Sequence, residues 1–399
     1  MFNNLFPIIF SLYLGLSPVF WMPFISPFFF TILKSALFVI IALFSVLSSL
    51  SNLSSGILNF KGKALVFFTL TFMLSLILLF IMFGDNDSNF VSFVNILQIL
   101  LFIISSRILI KAKKVYFTLR LSVWILSFFV FLSVVLMLLI PLTVSPFNEQ
   151  LHLINTGFGG ARTGWTPSIG LFVPFLLMLT NSHVLILIYL YSQMLTGGRA
   201  GFYLSLLVIP AIFLIEKSVW YNIMMLVLLC IAVILLAIYM PEYFTEFRVF
   251  SSLLDAGNSD KFSSGRLTLL MDAWGTIRQS PFLGSGMYSQ FEGIGVHNVF
   301  IKGWLFYGLI YFLLSILIVF YGLYKAGIRA FISKRKQDKK MMFILFLVLF
   351  SGFCIGLIEP SIIFGNFNTF SLWWFCFTLA ISNDFLISEE SSHLKKSVV

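Results

Sequence analysis

The stretch that decides the fold is VFIKGWLFYGLIYFLLSILIVFYGLY, residues 299–324, in which Lys302 is the one charged side chain. A membrane-spanning α-helix needs about 20 consecutive, mostly apolar residues. This run exceeds that length with Lys302 as its one charge, and its apolar residues do not alternate with polar ones as they do in the strands of a membrane barrel. We therefore predict a transmembrane helix here.

The composition of the whole chain agrees with this prediction. Of 399 residues, 60% are hydrophobic and 10% are charged, whereas soluble domains carry about 45–50% apolar and about 25% charged residues. These values exclude a soluble enzyme, a nucleic-acid-binding domain and a disordered protein. The net charge of +10 lies mostly in short loops, so it does not indicate a nucleic-acid partner. We predict an all-α polytopic membrane protein.

Apolar runs like the first recur along the chain and predict about twelve transmembrane helices in one domain, residues 1–399. The other runs are 5–22, 28–50, 64–83, 90–110, 117–140, 166–180, 183–195, 200–215, 220–240, 341–358 and 370–386. The sixth and seventh, 166–180 and 183–195, also fit one long helix that is broken at residues 181–183.

Basic residues between the runs predict the orientation, because short basic loops stay in the cytoplasm. Twelve crossings place all the basic clusters on one side, whereas merging the sixth and seventh runs would export the lysine-rich loop after residue 324. We therefore predict twelve crossings with both termini in the cytoplasm. The clusters consist of Lys61, Lys63, Arg107, Lys111, Lys113, Lys114, Arg120, Lys325, Arg329, Lys334, Arg335, Lys336, Lys339, Lys340, Lys395 and Lys396.

This orientation exposes a large loop, residues 241–297, on the outer face. Within it, residues 266–278 carry apolar side chains at helical spacing. We predict a helix along the membrane surface with Leu270, Trp274 and Ile277 turned inward, capped by Ser263 or Ser264. A tight turn with two glycines follows at residues 281–286.

Three side chains of the outer face suit chemistry on a phosphorylated substrate. Arg199 stands at the mouth of a span, where an unpaired charge is costly, and Arg266 opens the surface helix, where a cation is unfavourable without a partner. Guanidinium groups match phosphate geometry, and the imidazole of His297 accepts a proton near neutral pH. Each residue alone also fits a plainer role: a snorkelling arginine, a solvated loop charge and a hydrogen-bonding histidine.

Other chemistries lack a signal in the sequence. No cluster of ligating side chains predicts a metal site, and no phosphate-loop, dinucleotide or nucleophile-elbow motif is present. Acidic residues are almost absent from the spans, with Glu216 and Glu359 at span ends. This weakens the interpretation as an ion-coupled transporter, which normally needs acidic residues in its spans to relay the ion.

Taken together, the outer-face motifs resemble a known family. They are Gly198-Arg199-Ala200, Gly265-Arg266, Trp274, the turn Pro281-Phe282-Leu283-Gly284-Ser285-Gly286, the pair His297-Asn298, and Gly308 ten residues later. The region from Arg199 to Gly308 resembles the O-antigen ligase/polymerase superfamily of bacterial integral membrane glycosyltransferases. Residues 159–165, which contain Arg162, resemble a further arginine motif of these proteins more loosely.

The resemblance implies a GT-C-like fold in the bacterial inner membrane, with the active face periplasmic and no cofactor or metal. Its substrates would be a glycan donor linked to undecaprenyl pyrophosphate and a glycan acceptor, with membrane lipid and a chain-length regulator as partners. It implies catalytic roles for Arg199 and Arg266, which hold the pyrophosphate, and for His297, which takes the acceptor proton. Substrate-binding residues would be Arg162, Arg278, Trp274 and Asn298.

Several functions stay open at this level. Direct attack by the acceptor would invert the anomeric centre, whereas a covalent intermediate would need a carboxylate such as Asp272 or Glu292. In the ligases of the family that the chain resembles, the interval between the second arginine and the histidine tends to be longer and the motif is His-x-His-Asn-like. Here the interval from Arg266 to His297 is short and Val296 directly precedes the histidine, so the resemblance favours an O-antigen polymerase over a ligase that transfers glycan to lipid A core. A polysaccharide flippase is a third alternative, but the sequence lacks the two similar halves common in transporters.

Overall fold

The computed structural model describes residues 2–20, 26–51, 87–139, 158, 162–180, 182–216, 266–285, 296–359 and 367–382. Within these ranges every regular element is a helix, which confirms the all-α class. The helices are α1 Phe2–Leu16, α2 Pro27–Ser51, α3 Asp87–Lys111, α4 Val115–Leu139, α5 Arg162–Thr180, α6 His183–Leu195, α7 Arg199–Glu216, α8 Arg266–Gln279, α9 Val299–Ile332, α10 Lys336–Gly356 and α11 Phe367–Ile381.

Five described helical segments are long and apolar enough to cross a membrane. They are Pro27–Ser48, Val94–Lys111, Val115–Leu139, Val299–Ile332 and Lys336–Gly356. Shorter apolar helices cover five more of the predicted runs. The runs 64–83 and 220–240 lie outside the described residues, so the count of twelve and the predicted orientation stay predictions.

The chain divides into two compact units. The first contains Met1–Leu14, Leu33–Thr118 and Gly265–Val399, and the second contains Gly15–Ile32 and Leu119–Ser264. Helices α8 to α11 therefore belong to the first unit, and helices α5 to α7 belong to the second.

In the second unit, α5 and α6 are two helices that run in opposite directions. Ser182 caps α6 by accepting a hydrogen bond from the backbone N–H of Leu185. Trp165, near the start of α5, donates its indole N–H to Ser192, near the end of α6, at 3.2 Å. The start of one helix thus lies beside the end of the next, so the chain reverses at the cap and one continuous helix is excluded.

The first unit is packed around aromatic side chains. The rings of Phe10 and Phe102 stack at 4.9 Å between centroids, and Phe375 lies 5.3 Å from Phe10. These three rings come from α1, α3 and α11, which are far apart in sequence, and all three are fully buried. Aromatic packing is therefore what joins the N-terminal helices to the C-terminal ones.

Helix α9 differs from the straight span predicted at residues 299–324. It continues to Ile332 but is broken at Gly308, which has a φ of 82° that favours glycine. Trp304 and Phe312 stack at 4.6 Å, although eight residues of a straight helix rise about 12 Å. The chain therefore bends sharply at Gly308, and the segment 299–307 folds against the longer segment 309–332.

The helical part of α9 also includes two residues that were predicted to be loop cations, Lys325 and Arg329. Arg329 donates hydrogen bonds to the backbone oxygens of Ala380 at 2.8 Å and Ser382 at 2.5 Å. A cation is favourable there because the last carbonyls of a helix carry partial negative charge. Arg329 therefore caps the end of α11, a role separate from the predicted effect of its charge on membrane orientation.

Candidate functional site

The surface helix α8 is placed by an apolar cluster beneath it. Ala273 and Ile277 of α8 are buried against Leu305 and Phe306 of α9 and against Val296, which precedes α9. Positions 266, 273 and 277 are seven and four residues apart, a spacing that returns to one face of a helix. Arg266 therefore shares the face of α8 that packs against the rest of the first unit.

The predicted orientation of α8 is partly wrong. Ile277 is buried as expected, but Leu270 is half-buried and Trp274 is 42% exposed. Ala273 takes the inward position, so the next residue is rotated by about 100° toward the surface. The Trp274 ring contacts Trp304 in an edge-to-face arrangement, at 5.5 Å between centroids.

The turn after α8 docks into the break of α9. Ser285 donates its backbone N–H to the oxygen of Leu305 at 2.7 Å, and Leu309 donates its backbone N–H to the oxygen of Phe282 at 3.2 Å. The turn thus satisfies backbone groups that the broken helix leaves unpaired. A Cβ atom at Gly308 would overlap the oxygen of Phe282. The turn at residues 281–286 and the glycine at position 308 are therefore two sides of one backbone contact.

Glu359, three residues after the end of α10, joins Arg266 at the start of α8 to His297 at the end of the large loop. Arg266 donates to Glu359 Oε1 at 2.9 Å, and Nδ1 of His297 lies 3.7 Å from Glu359 Oε2. The three residues come from separate parts of the sequence. We call this set the Arg–Glu–His cluster.

The cluster is buried on one side and accessible on the other. The side chain of Glu359 is 4% exposed, whereas those of Arg266 and His297 are 24% and 32% exposed. Nδ1 of His297 and Oε2 of Glu359 are both buried without a hydrogen-bond partner. A buried carboxylate requires a cation, and Arg266 supplies it, while the second carboxylate oxygen faces the imidazole without a bond to it.

Asn298 organises the backbone beside the cluster. Its side-chain oxygen accepts from the N–H groups of Phe300 and Ile301, both at 3.0 Å, as an N-cap of α9. Its side-chain nitrogen donates to the oxygen of Leu357 at 3.1 Å. The start of α9, beside His297, is thereby tied to the end of α10, close to Glu359. Both polar ends of Asn298 serve the fold, and its role in substrate binding stays a prediction.

The remaining predicted residues lie elsewhere. Arg278 lies over the ring of Trp274 at 5.8 Å, on the exposed side of α8. Arg199 begins α7 and Arg162 begins α5, both in the second unit. Gly198 and Gly201 lie against Thr166, so these two helices start at the same end of that unit. The roles predicted for Arg199 and Arg162 in holding an anion stay predictions.

Glu359 is the residue that sequence reasoning did not select. The sequence shows only a carboxylate at a span end before Pro360, which resembles an ordinary interfacial charge. Its significance depends on contacts with residues 93 positions and 62 positions away. A carboxylate next to an apolar run, in a chain with few acidic residues, is the one signal that could have identified it.

Among the described residues, no group of three or more His, Cys, Asp and Glu side chains is placed to hold a metal ion. No protein-family model matches this chain, and no curated protein matches it.

Proposed function

We propose that this chain is an O-antigen polymerase that joins oligosaccharide repeat units carried on undecaprenyl pyrophosphate at the periplasmic face of the inner membrane. The observation that carries the proposal is the Arg–Glu–His cluster. Arg266 and His297 were selected from the sequence because of their chemistry, and they lie on the same buried carboxylate. The motif resemblance supplies the substrate class.

A purely structural ion pair accounts for less of this geometry. Arg266 and Glu359 by themselves would fasten α8 to the end of α10, as a buried salt bridge can. A structural ion pair does not require an imidazole beside the second carboxylate oxygen. Here Nδ1 of His297 faces Oε2 of Glu359, and both atoms are buried without a hydrogen-bond partner. A carboxylate beside one nitrogen of a partly exposed histidine is, in contrast, the arrangement that orients a general base.

The proposed reaction is an inverting transfer. The acceptor hydroxyl attacks the anomeric carbon of the donor, a carbon–oxygen bond forms, and the bond from that carbon to the pyrophosphate oxygen breaks. Its electron pair leaves with undecaprenyl pyrophosphate. The acceptor proton passes to His297 through Nε2, because Nδ1 faces Glu359. The imidazolium then donates from Nδ1 to Glu359, which stabilises the new charge.

In this scheme, arginine side chains stabilise the charge of the leaving group. Negative charge grows on the pyrophosphate as its bond to the sugar breaks, and fixed cations lower that barrier. Arg266 uses one nitrogen on Glu359 and has further donors for a phosphate oxygen. The motif resemblance assigns phosphate contacts to Arg199 and Arg162 as well. The prenyl chain stays in the bilayer.

Deleting the gene tests the reaction class. Surface polysaccharide from the deletion strain, separated on a gel, should show lipopolysaccharide with a single repeat unit. Absence of O antigen together with long carrier-linked chains would instead identify a ligase. An unchanged polysaccharide ladder would contradict both enzymes, and accumulation of undecaprenyl-linked units on the cytoplasmic side would indicate the flippase.

The largest predicted effect of a single substitution is at Glu359. Glu359→Gln keeps the shape and an acceptor for Arg266 but removes the charge that stabilises a protonated His297. We expect polymer formation to fall by about 10²-fold or more, comparable to the loss of a general base. Glu359→Asp keeps the charge and should restore part of the activity. The measurement is the polymerisation of undecaprenyl-pyrophosphate-linked repeat units by membranes with matched protein content.

Asp338→Asn is the matched control, because it also replaces a carboxylate by its amide but at the opposite end of α10. Asp338 lies in the first turn of this helix, and Glu359 lies just beyond its last turn. This control should retain polymerisation. Full activity of Glu359→Gln, or an equal loss in both variants, would remove Glu359 and the histidine mechanism from the proposal.

A further inference from the structure

Helix α8 presents three distinct faces. The inward face carries Arg266, Ala273 and Ile277. A second face is exposed yet apolar, with Leu267 at 40%, Met271 at 72% and Trp274 at 42% exposure. A third face is exposed and polar, and carries Thr268, Asp272 and Gln279.

The separation of the two exposed faces is the informative feature. Around a helix, each residue is rotated by about 100° from the one before it, so Met271 and Asp272 point in clearly different directions. A helix surrounded by water gains nothing from sorting its exposed side chains in this way. A helix lying in a membrane interface does, because one side meets lipid and the other meets water.

The apolar face of α8 is extended by the docked turn. Phe282 and Leu283 are 69% and 54% exposed, and the backbone of Phe282 is hydrogen-bonded to Leu309 at the start of the long segment of α9. From there the exposed apolar residues Ile310, Leu313 and Leu317 continue along a segment that can cross the membrane. These last three have the three- and four-residue spacing of one helix face. The exposed apolar surface therefore begins on a spanning helix and continues onto the loop.

We propose that α8 and the turn at residues 281–285 are immersed in the membrane interface, with the acyl chains of bilayer lipids as the occupant of their apolar face. We call the face formed by Leu267, Met271, Trp274, Phe282 and Leu283 the lipid face. Continuity with the exposed apolar residues of α9 identifies lipid as the occupant. A soluble partner would have no reason to share a surface with the lipid-facing side of a span.

The backbone of the break supports this placement. Unpaired backbone groups are costly in lipid, so irregular backbone near the hydrocarbon must be satisfied by protein. Leu305 oxygen accepts from both the N–H and the hydroxyl of Ser285, the latter at 2.9 Å. Arg278 stands at the end of the apolar face, over Trp274, where a long cationic side chain can reach the headgroups.

This placement has a consequence for the candidate site. Arg266 lies on the inward face of a helix that is immersed at the headgroup level. A phosphorylated lipid headgroup would meet it there without leaving the bilayer. The immersion itself does not depend on the enzymatic proposal, and its test uses no substrate.

Spin-label accessibility tests the immersion. Cys230, Cys354 and Cys376 are first replaced by Ala, and single labels are attached to Met271→Cys, Phe282→Cys, Asp272→Cys and Leu313→Cys chains. The proteins are reconstituted into vesicles of phosphatidylcholine and phosphatidylglycerol. Collisions with oxygen, which concentrates in lipid, are compared with collisions with a water-soluble nickel chelate.

Labels at 271 and 282 should resemble the label at 313, with an oxygen-to-nickel ratio several-fold above that at 272. Ratios at 271 and 282 equal to that at 272 would overturn the proposal. Labels at these two sites that collide with neither reagent would also overturn it, because protein rather than lipid would then cover the face.

A second measurement avoids the cysteine replacements. Benzoylphenylalanine placed at Phe282 in the otherwise native chain should cross-link on illumination to phospholipid, detected as a mass increase on the peptide. The same probe at Asp272 should give several-fold less lipid adduct. A cross-link from position 282 to another protein chain in place of lipid would contradict the proposal.

Discussion

Glycines make close contacts in both units, but they do so for different reasons. In the second unit, Gly201 lets α7 approach the backbone of Thr166 in α5, and its own conformation is helical. In the first unit, Gly308 admits the carbonyl of Phe282 and also adopts a φ of 82°. The contact at Gly201 requires only the absence of a side chain. The contact at Gly308 requires that absence and also a backbone with positive φ. Identical residue types therefore have unequal importance.

Gly308→Ala should have the largest effect on stability. The added methyl group would overlap Phe282 and force an L-residue into the left-handed region, two penalties of about 1–3 kcal/mol each. The break would rearrange, and with it the segment that carries His297 to the cluster. We expect the largest fall in the midpoint of heat-induced aggregation in detergent, together with loss of polymerisation. A wild-type midpoint would show that the turn does not depend on the break.

Gly201→Ala should be less harmful because only space is missing. The methyl group would meet the backbone of Thr166 and Pro167, and α7 would have to move away from α5. Overpacking of this kind costs about 1–3 kcal/mol. The aggregation midpoint should fall, but by less than in Gly308→Ala. An equal or larger fall would reverse the ranking and show that the backbone conformation of Gly308 contributes little.

Gly275→Ala should act in the opposite direction and have the smallest effect. Gly275 lies on the exposed side of α8, and nothing lies within 4 Å of the added methyl group. Alanine is favoured over glycine in a helix by about 0.5–1 kcal/mol. A small rise in the aggregation midpoint is expected, with polymerisation retained. A fall would indicate an unrecognised contact on that side of α8.

The position of the helices followed from apolar run length, and the described helices overlap ten of the predicted spans. The distribution of basic loops also separated the runs 166–180 and 183–195, between which the chain reverses at Ser182. Hydropathy did not show the break at Gly308, because the residues on both sides of that glycine are equally apolar. Such a break depends on a partner for the released backbone groups, and the partner lies about 25 residues earlier in the chain.

The candidate site was only half visible in the sequence. Arg266 and His297 were selected because a cation at the start of the loop helix and an imidazole at the end of the loop suit phosphate and proton chemistry. Trp274 was placed on the wrong face because helical spacing alone did not distinguish the inward position from its neighbour Ala273. Glu359 was passed over because a carboxylate at a span end is common, and only its neighbours in space make it unusual.

The sequence by itself determined that this chain is helical and hydrophobic enough for a membrane, since burial of apolar side chains in lipid requires nothing beyond length and composition. The tertiary structure decided where the long helix bends, which face of the loop helix is inward, and that a buried carboxylate lies between the arginine and the histidine. These features arise from contacts between residues far apart in the chain. Such contacts depend on the shape and direction of both partners, which no local pattern records.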